Sequence, residues 1–187
     1  DIPVPYGPDS EEYKLFNGTS AAAPVIAGGA ALVSEAFSYL KGYQIGQVLL
    51  GTATDLGNSA ETGVGMINIE KAIKGPAKFD WGDFDVAFNG GSVWSNDISG
   101  AGGIIKGGEG VLRLSGDNTF TGNTVINEGA VVVDGSNVTN VIVGHNGIFG
   151  GNGSVGSVTS EGIVHAGYPY SGTLTAVSYT HLTLPTK

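Results

Sequence analysis

Cysteine is absent from the 187 residues, which excludes disulfide staples, thiolate metal sites and a cysteine nucleophile while leaving the compartment open. Basic residues are scarce, 8 against 17 acidic, and the net charge of −9 offers no basic stripe to a phosphate backbone. The expectation is therefore no nucleic-acid partner. Long apolar runs are missing too. The longest, Ala21–Val33, is broken by Pro24 and two glycines and falls short of the ~18–20 residues that cross a bilayer. The chain opens on "DIPVPYG", with neither an initiator Met nor a basic region followed by an apolar stretch, so it reads as a soluble piece that starts in mid-protein. Charged residues reach only 13%, about half the usual ~25%. Glycine is abundant instead, 33 residues against a usual share of ~7%. With 41% hydrophobic residues there is material for one domain or two small ones, built more from turns and stacked strands than from charged helices.

Two segments follow different patterns. Up to about residue 78 helix-like stretches alternate with turns. Ala21–Phe37 is rich in helix formers, with Thr19 or Ser20 placed to cap it and Pro24 placed for a first turn, where its missing N–H costs little. "YQIGQVLLGTA" reads as a second helix, and "NIEKAIKG" as a third, capped by Asn68 and stopped by Gly75-Pro76. This block is expected to close a mixed α/β domain. From about residue 101 short β-branched runs are bounded by Gly, Asn and Ser at intervals of roughly ten, as in "NTVINEGAVVVDGSN", which predicts a β-solenoid whose rungs bury apolar side chains only against their neighbours. Val111, Leu112, Leu114, Val125, Val131 and Val133 are expected to divide between interior and exterior by strand alternation. Residues 79–100, aromatic and acidic, read as a connector packed on one of the two parts.

Within "NGTSAAAPVIAGGAALV", a serine at the first turn of a helix sits beside N–H groups without intrahelical partners, at the end where the helix dipole favours negative charge. A hydroxyl nucleophile needs such donors and a base. Gly18 lets a substrate chain approach closely. A bare Gly-Thr-Ser is equally an N-cap, but the match here is longer: Gly18, Thr19, Ser20, Ala22, Pro24 and Gly28, with Ile26 at a Val position, fall on the box Gly-Thr-Ser-x-Ala-x-Pro-x-Val-x-Gly. The stretch closely resembles the nucleophile box of the subtilisin-like serine proteases. Val25 stands where many members have a His that is not the catalytic one. "LLGTATDLG" and "GVGMINIEKAIKGPA" resemble the segments that close such domains, and Asp1-Ile2 resembles the tail of the turn before the box.

The resemblance implies Ser20 as the catalytic nucleophile, Gly18 and Thr19 as support for the oxyanion and substrate loop, and no metal or cofactor. The family orders its triad Asp, His, Ser along the chain. No His precedes Ser20, so the resemblance implies that the catalytic Asp, His and oxyanion Asn lie upstream of residue 1. Loss of one essential triad member costs about a millionfold in turnover, and the isolated chain is expected to be inactive. His145 and His165 read as exposed turn or strand residues.

"GAGGIIKGGEGVLRLSGDNTFTGNTVINEGAVVVDG" resembles the autotransporter-associated passenger repeat, with Lys106, Gly108, Gly110, Leu112, Leu114, Gly116, Asn118, Thr119, Phe120, Gly122 and Thr124 on its pattern. "GIFGGNGSVGSVTSEGIVHAGYPYSGTLTAV" resembles the rung that follows, with Ala166-Gly167 in place of Pro-Gly. The fold expected is thus the C-terminal portion of an α/β subtilisin-like domain (1–78), a connector (79–100) and an all-β right-handed parallel β-solenoid (101–176). The Asn/Asp-rich turns read as solvated rather than as calcium sites, since no spaced carboxylate set is present.

A subtilisin-like domain running into such repeats resembles the serine protease autotransporters of Gram-negative bacteria. That implies a surface-displayed or secreted endopeptidase acting on polypeptide substrates, with its own outer-membrane β-barrel as partner. The alternative is a structural or adhesive passenger with a degenerate protease domain. Residues 177–187 contain "VSYTHLTLPT", which matches an in-frame translation of a common sequencing adaptor; they are set aside as an artefact, and His181 with them.

Overall fold

A computed structural model describes residues 2–5, 7 and 11–181. The N-terminal lobe begins with an antiparallel pair, β1 (Ile2–Pro5) and β2 (Tyr13–Phe16), with Val4 opposite Lys14. Helix α1 spans Thr19–Ala36. The sequence placed its cap at Thr19 or Ser20, but the cap is Gly18 at φ 107° and ψ 173°, with no side-chain cap bond. That backbone conformation favours glycine over the hydroxyl residues. Thr19 and Ser20 are therefore inside the first turn, and Pro24 falls in the second. Lacking an N–H, Pro24 leaves the Ser20 carbonyl without its i+4 donor.

Only Ala21, Gly29 and Val33 of α1 are buried, spaced by multiples of four along one narrow stripe. Gly29 is needed there: a Cβ would fall 2.8 Å from Ile67 Cδ1. Helix α2 (Gly42–Thr52) starts where the Gln44 side chain accepts the Lys41 N–H at 2.9 Å, and its end is closed by the Thr52 hydroxyl donating to Val48 O at 2.7 Å. A single turn, α3 (Ser59–Thr62), precedes α4 (Ile69–Ala72), whose N–H at Lys71 is accepted by Asn68 Oδ1 at 2.9 Å. The Asn68 cap was legible in the sequence.

The rest of the chain winds into stacked coils of parallel strands. The first coil carries β3 (Lys78–Phe79), β4 (Phe84–Ala87) and β5 (Gly91–Trp94), so pairing begins inside the segment read as a connector. The second carries β6 (Ser99–Gly100), β7 (Ile104–Gly107) and β8 (Val111–Leu114). The third has β9 (Asp117–Asn118) and the long β10 (Thr124–Val133), and the fourth β11 (Ser136–Asn137) and β12 (Val141–Gly151). Strands β13 (Ser154–Ser160), β14 (Ile163–Ala166) and β15 (Thr175–His181) complete the stack. Phe84 pairs with Ile104 and Ile104 with Thr124, steps of 20 residues; Thr124 to Val141 and Val141 to Val158 are steps of 17. The ten-residue beat of the sequence is thus half a coil, because each coil has two principal strands.

Alternation sorts the side chains as expected: Leu112, Leu114, Val131 and Val133 are fully enclosed, while Val111 and Val125 lie half-buried on the outer face. Four aromatics fill the first coils, with Phe79 5.4 Å from Phe84 and 5.2 Å from Phe120, and Phe84 5.5 Å from Trp94 between ring centres. Buried asparagines hold the corners. Asn118 Oδ1 accepts the Ile98 N–H at 3.1 Å, and its Nδ2 donates to Gly116 O and Ser136 O, binding three coils together.

The lobe and the solenoid share one hydrophobic core, in which Val33, Phe37 and Val48 join Phe79, Trp94 and Leu112. Polar contacts cross the same seam: Gln44 Nε2 donates to Asp85 O at 2.7 Å, and Asn96 Nδ2 donates to Lys71 O at 2.9 Å and Gly75 O at 2.7 Å.

Candidate active site

Ser20 is the second residue of α1, reached from β2 through Asn17 and Gly18. Gly18, extended in ψ and left-handed in φ, turns the chain sharply from strand into helix. The first intrahelical-type bond runs from Ala21 N to Gly18 O at 3.0 Å. Among the described residues the Thr19 and Ser20 N–H groups have no intrahelical partner, as is usual for the first N–H groups of a helix. Both side chains are exposed.

A cleft of about 380 Å³ opens beside the serine, lined by Val4, Phe16, Ala21, Pro24 and Val25. Its walls are mostly apolar, so it suits an apolar group rather than a charged one. Val4 and Phe16 face it from β1 and β2. No local pattern signals them, since they lie outside the serine box and meet it only through the strand pairing.

Among the described residues no side chain is hydrogen-bonded to the Ser20 hydroxyl. The histidines are elsewhere. His145 is exposed on β12, its Nε2 3.5 Å from Glu161 Oε2, and His165 is exposed on β14 with its ring edge-on to Tyr168. His181 is paired with Tyr179 on β15, the Tyr hydroxyl 3.3 Å from Nδ1. All three belong to the solenoid, as strand residues on its surface.

The rest of α1 is as apolar as its buried stripe. Ile26 and Leu32 are each about half exposed, at 50% and 47%, and the helix carries one charged side chain, Glu35. A helix this poor in polar side chains on its outer face is suited to enclosure.

Ser20 thus stands at the head of a largely apolar helix that is followed by stacked parallel coils. Residues 4–65 match the Subtilase family, and residues 104–133 match the passenger-associated-transport-repeat. The chain therefore carries a subtilase-family segment followed by that repeat, and it is homologous to an autotransporter lipoprotein and to extracellular serine proteases. It is 40% identical over 161 residues to the Neisserial autotransporter lipoprotein NalP of Neisseria meningitidis serogroup B, an alignment covering 79% of this chain and 14% of that protein. It is 34% identical over 185 residues to an extracellular serine protease of Serratia marcescens, covering 78% of this chain and 18% of that protein. Its N-terminal part is 44% identical over 65 residues to subtilisin DY of Bacillus licheniformis, covering 35% of this chain and 24% of that protein. The chain thus spans less than a fifth of the length of the first two of these relatives.

Proposed function

We propose that Ser20 is the acyl-forming nucleophile of a secreted or surface-displayed subtilisin-like endopeptidase, and that this chain is an internal piece of it. The apolar α1 carries the reading. Ala22, Ala23, Ile26, Ala27, Ala31 and Leu32 are exposed, and a catalytic lobe packed over them would both enclose the helix and bring a base to the serine. In that assembly Ser20 Oγ attacks the scissile carbonyl as the base removes its proton, and the Thr19–Ser20 end of α1 faces the developing oxyanion. Gly18 leaves room for the substrate backbone. Polypeptides are the substrates, and an outer-membrane β-barrel of the same polypeptide is the partner that places the solenoid at the cell surface.

By itself the chain is inactive on this reading, because a serine without its base is a weak nucleophile. A fluorophosphonate probe checks both halves. The 187-residue chain takes no label at Ser20, whereas the parent protein, expressed with its upstream sequence, is labelled stoichiometrically and loses the label in Ser20→Ala. Labelling of the short chain would sink the inactivity; an unlabelled parent would leave Ser20 as a helix residue and the protein as a surface stalk.

The domain reading keeps residues 1–78 as the end of the catalytic domain and sets aside Val177–Lys187 as adaptor translation. In support, β15 from Val177 onward is exposed, Val177 at 88%. Residues 182–187 lie outside the described residues. Long-read sequencing across this end of the frame tests it: native repeats replacing "VSYTHLTLPT" uphold the reading, and the same codons in unamplified DNA overturn it.

A further inference from the structure

The two tryptophans stand in opposite surroundings. Trp94 is fully enclosed and donates its indole N–H to the Tyr39 hydroxyl at 3.0 Å. Trp81 is 44% exposed, without a hydrogen bond among the described residues. It borders a cleft of about 330 Å³ between the N-terminal lobe and the first coil, with Gly51, Asp55 and Lys71 on the lobe side and Lys78 and Asp80 on the coil side. That volume lies at the lower end of the ~300–1,000 Å³ of small-molecule sites.

The cleft is preformed. Gly51 and Lys78 approach so closely that a Cβ on Gly51 would stand 3.1 Å from Lys78 Cβ and 3.3 Å from its N. The two walls meet there and are held by the shared core, so neither has to move to form the site.

Its polar groups are balanced in charge, two lysines against two aspartates. Lys78 Nζ lies 3.9 Å from Asp80 Oδ2, beyond hydrogen-bond distance, so the ammonium and the carboxylate both keep bonding capacity. An anion entering the cleft meets two carboxylates in a chain of net charge −9; a cation meets two ammonium groups. A wholly apolar ligand would strip water from all four charges without replacing it. A neutral polyol does better, because each hydroxyl both donates to a carboxylate and accepts from an ammonium. The C–H face of a pyranose ring is also apolar and flat, the complement of an exposed indole face.

We infer that this cleft binds a neutral oligosaccharide, with Trp81 as the stacking platform and Asp80 and Lys78 holding neighbouring hydroxyls. The site is independent of Ser20 and of the proteolytic reading. It would hold the lobe against a glycan-bearing surface or glycoprotein.

The test is titration of the 187-residue chain with cellotriose and with chitotriose, followed by tryptophan emission and calorimetry. A sulfated disaccharide and tri-lysine serve as charged controls. Saturable binding of at least one neutral trisaccharide, with a shift in emission, is expected. Trp81→Ala weakens it about tenfold or more, and Asp80→Asn weakens it while leaving the emission of buried Trp94 in place as a sign of intact folding. No saturable binding of either trisaccharide, equal binding by Trp81→Ala, or preference for a charged control would overturn the assignment.

Discussion

The Tyr39 ring lies flat against Phe88, centroids 4.2 Å apart at 21°, and its hydroxyl stands between Ser92 Oγ at 2.7 Å and Trp94 Nε1 at 3.0 Å. One side chain after α1 thus touches three residues of the first coil. The stack fixes direction and the hydroxyl satisfies a buried donor, so this side chain ties the lobe that carries Ser20 to the first coil.

Tyr39→Phe separates the two contributions. The stack on Phe88 survives, but the Trp94 N–H, fully enclosed, loses its acceptor, at a cost of about 1–3 kcal/mol. Burial raises the Tyr39 pKa above its ordinary value, against the lowering effect of the hydrogen bonds to Ser92 and Trp94. A group whose folded pKa is raised contributes stability that is complete below the unfolded value, about pH 10, and is lost as pH rises through the folded one. Urea midpoints should therefore show the wild-type advantage at pH 7 and its narrowing above about pH 10. An unchanged midpoint at pH 7 would mean that the hydroxyl does not matter to the seam.

Gly75→Ala strikes the same seam from the lobe side. Gly75 has φ 108°, and a Cβ there would lie 2.8 Å from Trp94 Cδ1. Backbone strain and a clash with a ring that has nowhere to go act together, for a loss of about 2–4 kcal/mol. Lys74→Ala, next to it, removes only an exposed i,i+4 pair with Glu70 and is expected to be silent. Thermal melts of the two variants give the contrast; equal melting temperatures would show that the seam yields.

Removal of Val177–Lys187 is expected to change the unfolding free energy by no more than about 1 kcal/mol. The backbone pairs of this stretch with β13 run from Ser157–Ser178 to Ser160–His181. Their net worth of ~1 kcal/mol each is offset by a similar cost of ordering each residue. Leu174 and Ala176, which pack against the core, are retained. A large fall in the urea midpoint on truncation would make the strand a structural part of the stack.

Much of this was open to reading because the signals were local or long. The serine box spans several constrained positions in a row, and Asn68 marks the start of α4 by capping chemistry alone, although the helix ends at Ala72, before the Gly75-Pro76 stop. The period-2 alternation put Leu112 and Leu114 inside. What was not readable depends on residues far apart in the chain. The ten-residue beat does not say which turns stack, so the coil length of 17 to 20 residues came only from the pairing. The aromatics of residues 79–94 have their partners at Phe120 and in the lobe, at Tyr39, which no local pattern reveals. The helix cap went to Gly18 rather than to a hydroxyl because the sharp strand-to-helix turn needs positive φ, and a side-chain cap scale does not contain that requirement.

Lys106 is where the alternation and the chemistry of the residue disagree. Strict alternation from Ile104 sends it inward, its charge argues outward, and the structure follows the alternation: Lys106 is fully buried. Its ammonium donates to Gly107 O at 2.6 Å and Gly108 O at 2.7 Å, and lies 4.6 Å from the centre of the Phe88 ring. The nearby Glu128 carboxylate accepts the Gly108 N–H at 3.1 Å. A cation here ties down the carbonyls of a tight corner, so Lys106→Met leaves them without that donor and costs about 1–3 kcal/mol at pH 7. Burial lowers the Lys106 pKa, more than Glu128 raises it. In the window between that lowered value and the unfolded value, about 10.4, the unfolded chain binds more protons than the folded one, and stability rises with pH. Lys106→Met has no such group. The wild-type lead over it, read from urea midpoints at pH 7 and pH 10, should therefore widen, opposite in sign to the Tyr39→Phe comparison; a lead that shrinks in the same interval would mean that the ammonium is better solvated in the corner than its burial implies.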